Sequence, residues 1–514
     1  MLSFLFTTLL SKIYFDFSYF EPDTTSYLFQ AKIFARGKLY LDPPPEFGFS
    51  SSPHINILNG KWYSKYPFGN ALLLTLGVLI NAPWIVPTLI PAITLILIYL
   101  LVKEIYSVQT AMFATILLMI SPAFAIMGAT WFSEYANRFF LALFLLFLIK
   151  SIRQIKWQFA AVSGFALGYA FNTRPLTAFA FGVCGGAFTA YEVAKSKKRN
   201  QLFKTVMIFL IPFTFMIFLC LAWNYYFTGN PLKFTYNAAQ PCDTIGFGKR
   251  SVGYKPNMEN AYLFTPEESW RRLWRHVLPC ISVNILGWGF YVPDLYKQVS
   301  IHRPWLLLRI APLPFPFILI LIPIFHRLRN KYDILFLSFF VSSLLLYSLF
   351  YFDGSTFGFT AVNARYYNES TVLGLVILIA RAIVILWNEI SSRSTVAAIL
   401  TFGIIGSLLF TNTVHTYILQ AEPLQNWGPE YRKLPRLVKE AKIHNAVIFI
   451  PRHTGAPIGE YPFKEMEDAD VIYFKLGPNE TWALTSSDWE KVIQKYFPNR
   501  QPYIYENGTL RKLE

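Results

Sequence analysis

The chain has 514 residues, of which 54% are hydrophobic and only 15% are charged. Soluble domains carry about 25% charged residues, so this composition excludes an ordinary water-soluble enzyme and indicates that lipid is the main solvent. The net charge of +16 does not predict a nucleic-acid partner, because residues 415–514 hold 13 basic and 13 acidic residues and are neutral. The excess lies in the apolar portion, where Lys and Arg set the orientation in a membrane.

Long apolar runs predict about eleven transmembrane helices, since one crossing needs roughly 20 apolar residues. The run 68–102 contains Pro83 and Pro87, so we expect a short helix followed by a full span. From residue 415 onward, short apolar runs alternate with Gly, Pro and charged residues, which predicts a small α/β or irregular domain. The fold class is therefore an all-α polytopic membrane module over 1–414 and a C-terminal domain over 415–514. The apolar runs lie near 2–18, 68–102, 108–128, 134–149, 157–172, 175–194, 202–224, 305–325, 333–352, 370–388 and 395–413.

The basic residues of the short loops predict the orientation. One set of alternate loops holds 13 Lys and Arg, whereas the other set holds two, Arg174 and Arg365. Basic loops stay in the cytoplasm, so loops 16–67, 225–304 and 353–369 and the C-terminal domain are expected on the outer side. The 13 residues are Lys103, Lys150, Arg153, Lys156, Lys195, Lys197, Lys198, Arg199, Lys204, Arg327, Arg329, Lys331 and Arg393.

Two acidic residues are candidate catalytic groups on the outer side. Asp23 precedes a segment with helical spacing that ends at Gly37, and a shielded carboxylate there can act as a general base. The alternative is that Asp23 only caps the helix. Glu134 begins a span, where a carboxylate is either functional or paired. Its alternative is a local ion pair with Arg138, one turn further along the helix.

Four basic residues on the predicted outer side are candidate phosphate ligands. Arg174 and Arg365 interrupt a side otherwise poor in basic residues, and Arg binds phosphate through two parallel hydrogen bonds. Their alternative is anchoring to lipid headgroups. Lys249 and Arg250 form a Gly-flanked basic loop that is suited to the same contact or is merely solvated.

Cysteine, histidine and acidic residues give few further signals. Cys242 and Cys280 both fall in the large outer loop, where a disulfide is one alternative. The sequence shows no metal-ligand spacing and no Gly-rich phosphate loop. We therefore expect neither a metal nor a cofactor, and a lipid-linked sugar donor fits better than a soluble nucleotide sugar.

The first outer loop resembles that of a known family. Asp23, Tyr27, Ala31 and Arg36-Gly37 are similar to the first-loop signature of lipid-phosphosugar-dependent glycosyltransferases with the GT-C fold, of the protein mannosyltransferase and aminoarabinose transferase type. The turn from Lys65 to Gly69 resembles the family's Lys-Pro-Pro turn. Thr24 departs from the pattern, because many members have a second acidic residue there, and Glu21 lies nearby at a different spacing.

The resemblance implies a function for these residues. Asp23 is expected to deprotonate an acceptor hydroxyl, which attacks the sugar while polyprenyl phosphate leaves with inversion. Glu134 is expected near the acceptor, and Lys65 joins the candidate phosphate ligands. We therefore expect a multi-pass glycosyltransferase of a prokaryotic cell membrane, in contact with membrane lipids, whose acceptor is a lipid, glycan or protein. The alternatives are a transporter or flippase of lipid-linked saccharide, and a ligase moving a preassembled glycan.

Overall fold

A computed structural model of the chain describes residues 1–44, 54–239, 244–250, 262–287, 315–350, 363–425, 429–450, 470–475, 489–506 and 508–513. The first half of the membrane module contains helices α1 (Leu2–Phe15), α2 (Pro22–Ala35), α3 (Phe68–Leu79), α4 (Ile85–Ile105), α5 (Val108–Ile120), α6 (Pro122–Gly128), α7 (Glu134–Gln154), α8 (Trp157–Phe171), α9 (Pro175–Lys195), α10 (Arg199–Thr228) and α11 (Thr235–Ala239). Its second half contains α12 (Pro266–Arg272), α13 (Leu278–Cys280), α14 (Phe315–Leu319), α15 (Leu321–Phe325), α16 (Lys331–Ser348), α17 (Asn368–Ser370), α18 (Val376–Ser391) and α19 (Thr395–Gln425).

The membrane module is helical and apolar, as predicted. Seven described helices are long and apolar enough to cross a membrane, and the pair α5 and α6, bent by 64°, brings the number to eight. Shorter apolar helices occupy Leu2–Phe15, Phe68–Leu79 and Pro316–Phe325. The short helix α3 and the full-length α4 divide the run 68–102 as expected. The all-α polytopic class is thus confirmed, and the count of about eleven spans stays a prediction.

The loops sort to two ends of the helix bundle. At one end, ion pairs between helix ends join Arg153 of α7 to Glu104 of α4 at 3.1 Å, and Lys331 of α16 to Glu192 of α9 at 2.7 Å. The other end holds α2, a hairpin of β1 (Ile55–Leu58) and β2 (Lys61–Ser64), and the first residues of α7 and α9. The segments predicted to face outward therefore share one end, and which compartment it faces stays a prediction.

The C-terminal domain is a small α/β unit, as expected from its sequence. Its sheet has the order β6-β5-β7-β8, in which β5 pairs in parallel with β6 and β7, and β7 pairs antiparallel with β8. Helix α19 continues past residue 414 to Gln425, so the sheet begins well after the predicted boundary. The elements are β5 (Ala446–Ile450), β6 (Val471–Lys475), β7 (Gln501–Glu506), β8 (Thr509–Lys512), α20 (Pro429–Glu440) and α21 (Trp489–Tyr496).

One hydrophobic cluster joins the sheet domain to the first predicted outer loop. Phe29 and Ile33 of α2 and Trp62 of β2 lie in the same buried cluster as Val447 and Phe449 of β5. Because burial of apolar surface is favourable, α2 is held from the side of the C-terminal domain. The helix that carries Asp23 is therefore fixed in place.

Candidate active site

Asp23 lies in the first turn of α2, but it is not the helix cap. The cap residue is Glu21, whose side chain accepts from the Asp23 backbone N–H at 3.4 Å. Thr24 completes the capping box, since its Oγ1 accepts from the Glu21 backbone N–H at 3.2 Å. The capping alternative for Asp23 is therefore excluded, and its carboxylate is available for other contacts.

Three side chains surround the Asp23 carboxylate, which is 8% exposed. The Tyr66 hydroxyl donates to Oδ1, and His54 Nε2 lies 3.2 Å from the same oxygen. Arg365 Nη2 donates to Oδ2 at 3.2 Å. Tyr66 also stacks on Tyr27, with ring centroids 4.6 Å apart. Asp23 and Tyr27, two residues of the first-loop signature, thus belong to one buried group.

The charges around Asp23 favour its ionised form. Burial raises the pKa of Asp23, but the charges of His54, Arg365 and Lys65 outweigh this effect and hold the pKa below its ordinary value. Glu21 behaves in the opposite way, because burial and the neighbouring Asp23 charge raise its pKa to about 8. The pair therefore presents one ionised carboxylate beside one that stays protonated near neutral pH.

A second buried group of charges centres on Arg174. Its Nη1 lies 2.6 Å from Glu134 Oε1, and its Nε lies 3.1 Å from Glu369 Oε1. The alternative of a local pair between Glu134 and Arg138 does not form, because Arg138 donates to Asn368 Oδ1 and to Phe124 O. An isolated buried charge is costly, so two carboxylates around one guanidinium also hold the starts of α7 and α9 together.

Aromatic side chains connect the two groups. The Tyr366 ring lies 5.0 Å from the Arg365 guanidinium and 5.5 Å from that of Arg174. Tyr347 accepts from Arg174 Nη2 at 3.2 Å, and Phe132 lies 4.8 Å from the Arg365 guanidinium. The residues Asp23, Arg365, Tyr366, Arg174 and Glu134 thus form one continuous polar assembly.

The other candidate ligands divide between this assembly and another loop. Lys65 is 4% exposed, and its charge acts on both Asp23 and Glu21. Lys249 and Arg250 lie in β3 (Gly248–Arg250), which pairs with β4 (Tyr262–Phe264). The Arg250 guanidinium donates to backbone carbonyls of its own loop, such as Gly246 O at 3.0 Å. Within the described residues, neither Lys249 nor Arg250 contacts the Asp23 carboxylate.

Four residues in or beside the assembly were not assigned from the sequence: His54, Tyr66, Tyr366 and Glu369. His54 follows a stretch with no periodic pattern, so nothing in the sequence marked it. Glu369 carried a usable signal, because a carboxylate at the start of an apolar span is costly unless paired, as for Glu134. Cys242 lies outside the described residues, so its disulfide with Cys280 stays a prediction.

The assembly combines an ionised carboxylate with cations in a largely water-excluded site. Over the described ranges, no group of three or more His, Cys, Asp or Glu side chains is arranged to hold a metal ion. The local chemistry consists of one ionised carboxylate, one guanidinium in contact with it, and a nearby ammonium. Such a set is suited to removing a proton while stabilising an anion close by.

Comparison with known proteins connects this geometry to a family. The model of the family described as dolichyl-phosphate-mannose-protein mannosyltransferase matches residues 67–226. No curated protein sequence matches the chain. ArnT from Cupriavidus metallidurans bound to undecaprenyl phosphate is similar in structure, with a TM-score of 0.55 at 11% identity over 97% of this chain and 92% of that one.

Two further structures are similar over most of this chain. Apo ArnT from Cupriavidus metallidurans gives a TM-score of 0.56 at 10% identity, covering 98% of this chain and 92% of that one. An oligosaccharyltransferase from Archaeoglobus fulgidus gives 0.45 at 12% identity, covering 98% and 69%. The chain therefore shares the GT-C fold of ArnT, and its residues 67–226 match a family model of membrane glycosyltransferases.

Proposed function

We propose that the protein transfers a sugar from a polyprenyl-phosphate donor to an acceptor hydroxyl, with inversion at the anomeric carbon. The observation that carries this proposal is the Asp23 carboxylate, held by His54 and Tyr66 on one oxygen and by Arg365 on the other. A base and a phosphate-binding cation thus lie in direct contact. ArnT from Cupriavidus metallidurans, which shares the fold, was solved bound to undecaprenyl phosphate, and this supports the same class of carrier.

In the proposed reaction, Asp23 takes the proton of the acceptor hydroxyl. The oxygen forms a bond to the anomeric carbon as the bond to the phosphate oxygen breaks, and both electrons of that bond leave with polyprenyl phosphate. Arg365 and Lys65 stabilise the departing anion, because fixed cations in a dry site act strongly on developing charge. Glu134 and Glu369 hold Arg174, which supports Tyr366 beside Arg365.

Both oxygens of Asp23 have partners before substrates bind. Donor phosphate attracts Arg365 more strongly than one carboxylate oxygen does, since it presents more charge and a bidentate acceptor. Donor binding therefore frees Oδ2 for the acceptor proton. The reaction takes place at the end of the bundle that holds α2, which we assign to the outer face of a prokaryotic membrane.

The test uses the full-length protein in detergent with a sugar linked to polyprenyl monophosphate and a short-chain alcohol or lipid acceptor. Asp23→Asn keeps the size of the side chain and removes the base, so transfer should fall about 10²- to 10⁴-fold. Asp16→Asn is the matched control, because Asp16 is a half-exposed carboxylate that pairs with Lys12 and Arg436. Undiminished transfer by Asp23→Asn would show that another group is the base.

A further inference from the structure

A cavity lies between transmembrane helices, apart from the Asp23 assembly. It is a crevice of about 670 Å³ between α7, α8, α9 and α10, within the range of about 300–1,000 Å³ seen for ligand pockets. Its walls are almost entirely apolar. The part of the wall that α9 supplies includes small residues spaced four apart, Ala178, Gly182, Gly186, Ala190 and Ala194, beside larger side chains such as Phe179 and Val183.

The crevice exists because α9 stands away from α10. Helix α8 packs closely on α10 at Gly168, where an added Cβ would lie 2.5 Å from Met216 Cβ, and α9 packs closely on α7 at Gly185, where it would lie 2.7 Å from Phe144 Cζ. At Gly186, in contrast, an added Cβ would meet no atom within 4 Å. The space at Gly186 is therefore open, and it is deep enough for a hydrocarbon chain.

Unpaired basic side chains gather at one end of the crevice. The connection from α9 to α10 carries Lys197 and Lys198, and Arg199 lies about one turn before Leu202 on the face of α10 that lines the crevice. Lys156 precedes Ala160 by one turn on the lining face of α8. All four are exposed, and in the described part of the chain none forms an ion pair.

The surrounding sequence supplies no acidic partner for this basic group. Glu192 is the only acidic residue between positions 150 and 205. Its carboxylate lies 2.7 Å from Lys331 Nζ and is already paired. A long apolar crevice that ends at four uncompensated cations matches a molecule with a hydrocarbon chain and an anionic head.

We propose that this crevice binds an anionic phospholipid, with an acyl chain along α9 and the phosphate at Lys156, Lys197, Lys198 and Arg199. Basic pockets between transmembrane helices attract anionic headgroups at the membrane surface. Arg199 adds a planar donor pair that suits phosphate. The competing occupant is the prenyl chain of the donor. The donor's phosphate belongs at the Asp23 end of the protein, so a prenyl chain in the crevice would provide no anionic group for these four basic residues.

Native mass spectrometry of the full-length protein with added phosphatidylglycerol tests the site without any transfer assay. Arg199→Glu should retain about five-fold less phosphatidylglycerol, the effect of one basic contact at a bilayer surface. Lys204→Glu is the matched control. Lys204 has the same charge as Arg199 and lies on the same helix, but on the face opposite the lining residues. Equal retention by the two variants would overturn the headgroup assignment.

Filling the crevice gives an independent measurement. Gly186→Leu should lower phosphatidylglycerol retention at least as strongly as Arg199→Glu, whereas Gly403→Leu should not, although an added Cβ at Gly403 also meets nothing within 4 Å. If Gly186→Leu lowers the retention of undecaprenyl phosphate and leaves phosphatidylglycerol unchanged, the crevice holds the prenyl chain and the proposal fails. Unchanged retention of both lipids by Gly186→Leu would also overturn it.

Discussion

Arg365 Nη2 lies 3.2 Å from Asp23 Oδ2, although 342 residues separate the two positions in the chain. Both side chains are buried, with 8% and 11% of their surface exposed. In the proposed reaction, the contact joins the proton acceptor to the cation that stabilises the departing anion. It also makes the basicity of Asp23 depend on what Arg365 binds.

Removing Arg365 should therefore change both the rate and its pH dependence. Arg365→Gln should lower kcat about 10²- to 10³-fold, as loss of a transition-state donor does. Because the Arg365 charge helps to lower the pKa of Asp23, the acid limb of the rate profile should move to higher pH. Arg365→Lys should restore part of the rate and most of the acid limb.

Steady-state kinetics over a range of pH values checks this prediction. Arg271→Gln is the control, since Arg271 is a half-exposed cation that pairs with Glu267 and Glu268. A rate loss in Arg365→Gln with an unmoved acid limb would mean that Arg365 does not act on the base.

The buried charges around Arg174 should show strong coupling in stability. Arg174→Gln leaves Glu134 and Glu369 buried without their cation, which should cost about 3–5 kcal/mol of unfolding free energy. Arg174→Gln combined with Glu369→Gln should cost less than the sum of the single changes. The measurement is denaturant-induced unfolding in mixed micelles.

An exposed ion pair provides the comparison for Arg174. Arg327 lies 3.1 Å from Glu389, with 78% of its side chain exposed. Arg327→Gln should cost under about 1 kcal/mol. Additive effects of Arg174→Gln and Glu369→Gln would contradict a shared charge network.

Glu21 should make the protein less stable as pH rises. Its folded pKa of about 8 exceeds the ordinary 4.5, so between these values the folded state binds more protons than the unfolded state. The contribution of Glu21 to stability is then fully present below pH 4.5 and is lost as pH rises towards 8. Glu21→Gln keeps a capping oxygen and should flatten this decline between pH 5 and 8.

Thermal unfolding in detergent across that pH range measures the difference between wild type and variant. Glu422→Gln is the control, because Glu422 is an exposed carboxylate in the membrane module. If Glu21→Gln and the wild type decline in parallel, the carboxyl group of Glu21 is ionised throughout.

Gly374 should tolerate no side chain. An added Cβ would lie 2.8 Å from Phe336 O on α16, and a backbone atom cannot move aside cheaply. Gly374→Ala should cost about 1–3 kcal/mol and lower activity, because Gly374 and Arg365 share one helical segment, Arg365–Ser391. Gly403→Ala, in open space, should instead gain about 0.5–1 kcal/mol. Unfolding and transfer assays on both variants check this contrast.

The helices and the candidate base were identifiable in the sequence because their signals are local. Apolar runs identify membrane helices from composition alone, and Pro83 marked the break between α3 and α4. Asp23 stood out through its place before a helical pattern in the first loop. That Asp23 is not the helix cap was not predictable, because Asp is a preferred N-cap residue and Glu is not. Only the folded contacts place Glu21 at the cap position.

The partners of the charged residues were not predictable, since they depend on helix packing. Spacing along α7 allowed a pair between Glu134 and Arg138, one turn apart, as the alternative to a functional Glu134. The start of α9 instead brings Arg174 to Glu134, and Arg138 turns to Asn368. Contacts between distant segments produce no periodic pattern in the sequence, so only the structure identifies Glu369 and His54 as partners of the charged residues.

The cluster shared by α2 and the C-terminal sheet has a consequence for biosynthesis. Phe29 and Ile33 are translated long before Val447, Phe449 and Val492 of the same cluster. The helix that carries Asp23 therefore cannot be seated against the sheet until the sheet has been made. A partly translated chain that lacks this sheet, with its first helices already inserted in the membrane, has an incompletely assembled site.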